Sequence, residues 1–186
     1  TAVTNMTNVF AGTNALSDTN KGQIQKTFST TPNWPYDWRQ YVIMNDNDFQ
    51  DAVNLWFSNE ANATTIYGHI RDWNVSQVSN MSNAFRDRTN FNEDISGWDV
   101  SSVTSMNYIF NGASSFNQDV GDWNTSAVTT MIGTFQNASS FNQDIGNWDV
   151  SSVTKMASMF RDAVVFDQNI GRWNTTASLN MDAIFV

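Results

Sequence analysis

The sequence WDVSSVTKM, at residues 148–156, is one copy of a phrase that returns at a fixed interval of 25 residues. A Trp opens each copy, a Met stands eight residues after it, and a Phe stands twelve residues after it. A strict period in this range is the signature of a protein built from stacked coils, in which each coil contacts mainly its neighbours. The repeated apolar residues are predicted to form a core ladder, which consists of Trp73, Trp98, Trp123, Trp148, Trp173, Met81, Met106, Met131, Met156, Met181, Phe85, Phe110, Phe135, Phe160 and Phe185.

Two local patterns alternate within each repeat. From Val103 to Phe110, the apolar residues are spaced as on one face of a short helical segment. The side chain of Asp99 or Ser101 is suited to accept hydrogen bonds from the first free backbone amides of that segment. Residues 116–121 follow a turn and are the best candidate for a short extended strand. The sequence therefore predicts an α/β fold, a leucine-rich-repeat-like solenoid of 25-residue coils with a helical N-terminal cap.

The period also divides the chain into segments. Residues 1–16 match part of a coil, and residues 17–45 form a connector with a short helix and a Trp/Pro-rich turn. Residues 46–69 contain an amphipathic cap helix and a lead-in, and residues 70–186 are the repeats. Both ends fall within a repeat, so we interpret the chain as part of a longer protein.

Two helices are predicted ahead of the repeats. Ser17 or Asp18 is suited to cap a helix over residues 20–28, which the prolines beyond it end. The aromatic turn over residues 32–38 is then expected to fold back on neighbouring coils. Apolar residues at helical spacing predict a second helix over residues 46–59, with Asp46 or Asn47 as its cap. This helix is expected to cover the open face of the first full coil.

Composition excludes several classes of function. The net charge is -9 with only nine basic residues, and nucleic acids or anionic membrane surfaces require clustered Lys and Arg. Without Cys, there are neither disulfides nor thiolate metal sites. No apolar run has the length of a membrane span. The expected partners are therefore other proteins or surface glycans.

The polar repeats predict a ladder of amide side chains. In a register of 25 residues, Asn117 lies over Asn92 and under Asn142, so their side chains are placed to bond along the stack.

A column of carboxylates accompanies the amides, at Asp94, Asp119 and Asp144. Like charges repel, so each carboxylate must cap backbone amides, bind a cation or stay in water. Capping is our first interpretation, with a calcium site as the alternative. Asn169 takes the equivalent place in the next coil and weakens the calcium interpretation there. No other cofactor is indicated.

Catalysis is not expected. The one histidine, His69, has no partner phrase, and no phosphate loop, zinc spacing or nucleophile elbow is present. The carboxylates recur with the period, whereas an active site normally interrupts it. The Trp column is interpreted as buried core, with a sugar-binding stripe as the alternative.

Seven Asn-x-Ser/Thr phrases are candidate glycan acceptors in a secreted eukaryotic chain. The repeat itself generates several of them, so the two predicted to lie in loops, Asn62 and Asn137, are the better candidates. The others are Asn5, Asn74, Asn80, Asn124 and Asn174.

The sequence FNQDIGNWDVSSVTKM, at residues 141–156, resembles the bacterial surface-protein repeat of about 25 residues, also called the BspA-like or mycoplasma-lipoprotein-type repeat. The resemblance covers residues 70–186 closely and residues 1–16 in part, and residues 49–68 resemble the lead-in to such arrays. It implies a large, exported, surface-attached protein related to leucine-rich repeats, with a role in adhesion and no catalytic residues. This chain departs from the pattern at Asp167, Asn169 and Ser178.

These observations favour a non-catalytic structural or adhesive module of a large extracellular or cell-surface protein. One alternative is a filament subunit that assembles end to end, because Ile184 and Phe185 close the last coil without a polar cap. The other alternative is a calcium-dependent binding module that uses the column of carboxylates.

Overall fold

The computed structural model describes residue 6, residues 8–12 and residues 15–185. Its helices all lie ahead of the repeats: α1 is Asp18–Phe28, α2 is Asp46–Ser58 and α3 is Glu60–Tyr67. Short 3-10 turns at Arg39–Tyr41 and Ile70–Asp72 complete the helical segment. Among the described residues, no helix has both the length and the apolar content needed to cross a bilayer.

Local capping chemistry explains where the first two helices begin. The Ser17 hydroxyl accepts from the Asn20 amide at 3.2 Å and starts α1. The Asn45 side chain accepts from the amides of Asn47 and Asp48 and starts α2. Both predicted helices are confirmed, although the cap of α2 lies one residue before those proposed. Helix α3 was not predicted.

The repeats stack at the 25-residue interval, and we call residues 73–185 the coil stack. Consecutive coils are joined by parallel bridges between single residues. The bridges connect Asn80, Ser105, Thr130, Lys155 and Asn180 in succession.

The interior of the coil stack is a set of aromatic columns. Phe85 and Phe110 stack with their ring centroids 5.6 Å apart, and Phe110 and Phe135 follow at 5.5 Å. A second column runs beside the first, with Phe116 only 3.9 Å from Phe110. These rings are fully buried. Identical side chains therefore meet identical side chains, as the period requires.

Each coil donates backbone hydrogen bonds to the coil that follows it. The amides of Met106, Tyr108, Phe110 and Gly112 donate to carbonyls of the next coil at 2.7–3.0 Å. Tyr108 and Gly112 have positive φ angles, of 57° and 69°. Alternate amides therefore point out of the coil, which bends through successive turns between them.

The prediction of an α/β, leucine-rich-repeat-like solenoid is wrong. In the described part of the coil stack there is neither a β-strand nor an α-helix. Alternate amides from 106 to 112 donate to the next coil instead of within a helix, and left-handed residues interrupt the helical path. The terms leucine-rich-repeat-like and solenoid therefore do not describe this fold.

The strand predicted over residues 116–121 is replaced by a ladder that uses side chains. The Asn117 amide donates to the side-chain oxygen of Asn92 at 2.9 Å, and the Asn142 amide donates to that of Asn117 at 2.9 Å. Because an Asn side chain takes the place of a neighbouring backbone carbonyl, the segment forms no backbone ladder and no strand.

Helix α2 covers the first full coil. Trp56 packs edge-on against Trp73 at 5.9 Å, and Phe57 packs against Phe85 at 6.3 Å. Phe49 reaches Trp98 in the second coil at 5.7 Å. The helix thus buries apolar side chains that would otherwise face water, while the division of the chain into four segments stays a prediction.

The aromatic turn packs on the segment that precedes α1. The rings of Trp34, Tyr36 and Trp38 lie 5.5–6.2 Å from the ring of Phe10. The predicted return of this turn onto a neighbouring coil is confirmed at Phe10. Within the partial coil predicted at residues 1–16, residues 1–5, 7 and 13–14 lie outside the described residues.

Candidate interaction surface

One lateral surface of the coil stack combines regular geometry with an unusual lack of charge. We define the bridge face as the bridging residues and the residues before them, at 79–80, 104–105, 129–130 and 154–155. The amide of Thr129 donates to the Thr104 carbonyl at 2.9 Å, and its hydroxyl donates to the same carbonyl at 3.1 Å. Thr154 repeats both bonds to Thr129 at 2.9 and 3.1 Å. The hydroxyls are therefore fixed in one row.

The side chains of the bridge face are almost all neutral. Its one charged side chain is that of Lys155, in a protein with a net charge of -9. Elsewhere in the coil stack, acidic residues occupy the turns, as at Asp99, Asp122 and Asp149. A partner that contacts hydroxyl and amide groups avoids removing water from carboxylates, and interface centres are generally poor in charged residues.

Asp46, the first residue of α2, closes the N-terminal edge of the bridge face. Its carboxylate accepts from the Ser79 amide and hydroxyl, both at 2.6 Å, and from the Asn80 amide at 3.0 Å. Partial burial alone raises the pKa of Asp46, but these hydrogen bonds together hold it below its usual value. The carboxylate thus accepts the hydrogen bonds that, in later coils, go to a carbonyl of the preceding coil, as those from Thr104 and Ser105 go to Ser79.

The predicted column of carboxylates caps backbone amides within its own turns. Asp94 accepts from the Ser96 amide at 3.0 Å, and Asp119 and Asp144 accept from the amides two residues on at 3.0 and 2.9 Å. Asn169 makes the same turn at 3.0 Å. The hydrogen bonds from Ser96 lower the pKa of the Asp94 carboxyl. The predicted capping is confirmed.

The carboxylate column does not assemble a candidate calcium site. In the described residues, no three His, Cys, Asp or Glu side chains come together in a group that could hold a metal ion. Calcium prefers six to eight oxygen ligands, which one turn carboxylate in each coil does not supply.

The Trp column lines the core instead of presenting faces to sugars. Trp73, Trp98, Trp123 and Trp148 are only 3–4% exposed. The indole N–H of Trp148 donates to the Val120 carbonyl at 2.8 Å, and the other tryptophans of the column make comparable bonds. A ring with both faces packed and its N–H satisfied is not available for stacking on a pyranose.

The candidate glycan acceptors occupy different environments. Asn62 lies in α3 and is half-buried, so its predicted loop position is wrong. Asn137 is exposed at a turn with φ 58°. Four others, Asn74, Asn80, Asn124 and Asn174, are exposed and use their side-chain oxygens to cap local amides. Asn5 lies outside the described residues.

His69 has a packing role at the junction of α3 and the first coil. Its ring lies edge-on to Trp56 at 5.1 Å, and its Nδ1 accepts from the Arg71 amide at 3.3 Å. Its Nε2 is 3.8 Å from a Glu93 carboxylate oxygen. A cleft of about 480 Å³ lies beside it, lined by residues that include Asp37 and Arg39. These two side chains pair with each other at 2.6 Å.

The core ladder is open at its last described coil. The side chain of Phe185 is 56% exposed and that of Met181 is 41% exposed, while Trp173 is partly buried. The other Phe and Met residues of the ladder are at most 3% exposed.

Sequence reasoning missed the bridge face and its closure by Asp46. The Ser, Thr and Asn residues at 79–80, 104–105 and 129–130 repeat with the period, which is a signal that could have found the face. Asp46 was considered only as a cap for its own helix, because nothing in the local sequence links it to Ser79.

Comparison with known proteins identifies a family but no function. A family model described as "Mycoplasma protein of unknown function, DUF285" matches residues 52–146 and 122–186. No curated protein matches this chain, and no solved structure does.

Proposed function

The chain belongs to the DUF285 family of Mycoplasma proteins of unknown function, and we propose that it is a non-catalytic adhesive module on the outside of a cell. In this proposal the coil stack is a stiff support, and the bridge face contacts a protein or glycan partner. The resemblance of residues 141–156 to the BspA-like surface repeat favours the same placement, at the cell surface or outside the cell.

The observation that carries the proposal is the neutral, regular bridge face in an acidic protein. Thr104, Thr129 and Thr154 each hold their hydroxyl against a carbonyl of the preceding coil at 3.1 Å. Because these side chains are already fixed, they lose little conformational entropy when a partner binds. Many equivalent weak contacts along the stack add up through multivalency, which suits adhesion better than a single deep pocket does.

A binding experiment tests the bridge face directly. The wild-type protein is applied to arrays of immobilised glycans and extracellular matrix proteins, and its affinity for each bound partner is measured. Thr129→Glu places a charge in the centre of the bridge face and is expected to weaken binding by about tenfold or more, equivalent to about 1.4 kcal/mol.

Asn147→Asp is the matched control, because it adds the same charge elsewhere and Asp122 occupies the equivalent place in the preceding coil. The control should bind as the wild type does. If no glycan or matrix protein binds, the adhesive role is wrong. If both variants lose binding equally, the contact lies outside the bridge face.

A further inference from the structure

A second cleft, of about 410 Å³, lies where the end of α2 and the start of α3 meet the first coil. Its lining includes Trp56 and Phe57 from α2 and Phe91 from the first coil. Trp56 and Phe91 are buried, and Phe57 packs edge-on against Phe91 with the ring centroids 5.8 Å apart. The cleft therefore has an apolar base that belongs to the core, and its volume suits a small molecule.

Two charged residues that line this cleft break the 25-residue repeat. Arg88 stands where each of the next three coils carries an alanine, and Glu93 stands where each of them carries a glutamine. The equivalent residues are Ala113, Ala138, Ala163, Gln118, Gln143 and Gln168. A residue that serves only the stacking of coils is expected to follow the period. Two charged departures in one cleft therefore indicate a local role.

The guanidinium of Arg88 is held in place without an ionic partner. It lies 4.4 Å from the centroid of the Phe57 ring, and the residue is half-buried. Within the described residues, its side chain makes neither an ion pair nor a hydrogen bond, whereas the neighbouring Arg86 pairs with Asp87 at 3.6 Å. A guanidinium is weakly hydrated and binds a carboxylate through two parallel hydrogen bonds. Arg88 is thus suited to receive a carboxylate.

Two carboxylates, those of Glu60 and Glu93, line the same cleft. Glu60 is the first residue of α3, is exposed and makes no ion pair with the described residues. A carboxylate oxygen of Glu93 lies 3.8 Å from Nε2 of His69. The glutamines at the position of Glu93 donate to the preceding coil, as Gln143 does to the Asn117 carbonyl at 3.0 Å, and a carboxylate cannot donate that bond. Both carboxylates are suited to receive cationic groups.

We propose that this cleft binds a basic amino acid that has a free α-carboxylate, such as lysine. The α-carboxylate of the ligand contacts Arg88, its ammonium groups contact Glu60 and Glu93, and its aliphatic chain lies on the apolar base. One positive and two negative side chains match a ligand with one carboxylate and two ammonium groups. The same chemistry is offered by a free amino acid and, in part, by a lysine at the C-terminus of a peptide.

This binding site does not rest on the adhesive role, because the cleft and the bridge face share no residue. Isothermal titration calorimetry with L-lysine tests it, and the wild type is expected to bind lysine saturably. L-lysinamide lacks the carboxylate, and L-glutamate brings a second carboxylate to a cleft that already holds two. Each should bind about tenfold more weakly than lysine, or worse, because a hydrogen bond between charged groups is lost or like charges meet.

Three variants test the residues of the cleft. Arg88→Met keeps a long side chain over Phe57 but removes the charge, and it should weaken lysine binding by about tenfold or more. Glu93→Gln restores the residue of the repeat and should also weaken lysine binding, because one ammonium group loses its partner. Arg161→Met is the matched control, because it removes an arginine that pairs with Asp162 in a later coil. It should bind lysine as the wild type does.

A tripeptide of sequence Gly-Gly-Lys with a free C-terminus separates the two sources of the ligand. Tighter binding of the tripeptide than of lysine identifies peptide ends, and weaker binding identifies the free amino acid. Thermal melting by circular dichroism checks that each variant is folded, and Arg88→Gln replaces Arg88→Met if that variant is not. The proposal is overturned if neither lysine nor the tripeptide binds saturably, or if lysinamide binds as tightly as lysine. It is also overturned if a folded Arg88 variant binds as the wild type does, or if Arg161→Met loses as much binding as Arg88→Met.

Discussion

The backbone amides of the helical segment and those of the coil stack find their hydrogen-bond acceptors in different places. In α2 the amides bond within the helix, so the helix needs a partner only for its apolar face, which includes Phe49 and Trp56. In the coil stack, alternate amides such as those of Phe110 and Gly112 bond to another coil. A helix can therefore end a stack, whereas a coil can only continue it.

The contact between the two regions shows how such a stack begins. Helix α2 supplies Trp56 and Phe57 to the apolar core, and Asp46 supplies a carboxylate to the open amides of Ser79 and Asn80. In the last described coil, the side chain of Phe185 is 56% exposed. This difference in burial predicts which substitutions lower the free energy of unfolding most.

The largest expected effect is on stability, and it differs between a ring in the interior of the coil stack and one in the last described coil. Phe110→Ala removes a fully buried ring that stacks on Phe85, Phe116 and Phe135, and should lower the free energy of unfolding by about 3–5 kcal/mol. Phe185→Ala removes the same side chain where it is 56% exposed, and should cost about 1 kcal/mol or less. Urea denaturation at low protein concentration measures both, and equal losses would contradict the comparison.

A smaller effect is expected where the helix meets the first coil. Asp46→Ala leaves the amides of Ser79 and Asn80 without their acceptor and should lower stability by about 1–2 kcal/mol. Asp46→Asn keeps an oxygen acceptor and should cost less. Asp51→Ala, an exposed position of the same helix, is the control and should be near neutral. Hydrogen exchange should show faster opening of the first coil in Asp46→Ala alone.

The smallest expected effect is a pH dependence of stability that arises from carboxylates in the coil stack. Hydrogen bonds from Ser101 and Ser151 lower the pKa of Asp99 and Asp149. A lowered folded-state pKa adds stability above the unfolded-state value, about 3.9 for Asp, and that stability is lost as the pH falls through the folded-state pKa.

The double variant Asp99→Asn/Asp149→Asn should therefore lose less thermal stability than the wild type between about pH 5 and about pH 2. Asn keeps the turn, since Asn124 accepts from the Ser126 amide at 3.2 Å in the same place. Calorimetry across this pH range checks the prediction, and parallel pH profiles for the two proteins would contradict it.

Sequence reasoning was most reliable where a local signal has a local cause. The caps near Ser17 and Asn45 begin α1 and α2 because a side-chain oxygen is within reach of the next free amides. The turn carboxylates at Asp94, Asp119 and Asp144 follow the same rule and were predicted as caps. Helix α3 was missed, because the weak amphipathic pattern of Glu60–Tyr67 gives no clear signal.

Sequence reasoning failed inside the repeat, where neighbours decide the conformation. The spacing from Val103 to Phe110 matches a helix, yet Tyr108 adopts φ 57° and its amide donates to the Ile132 carbonyl. Positive φ is unfavourable for a tyrosine in isolation. The bond to the next coil and the packing of the aromatic columns outweigh that cost, and no local pattern reports either of them.

The period by itself determined that residues 25 apart meet and that Trp, Met and Phe form the interior, because identical coils in register bring identical side chains together. Only the tertiary structure decided how each coil is shaped. Its amides are satisfied by the next coil or by an Asn side chain, as at Asn117, so a chain of turns replaces both strand and helix. The same dependence on neighbours placed the carboxylate of Asp46 on the first coil.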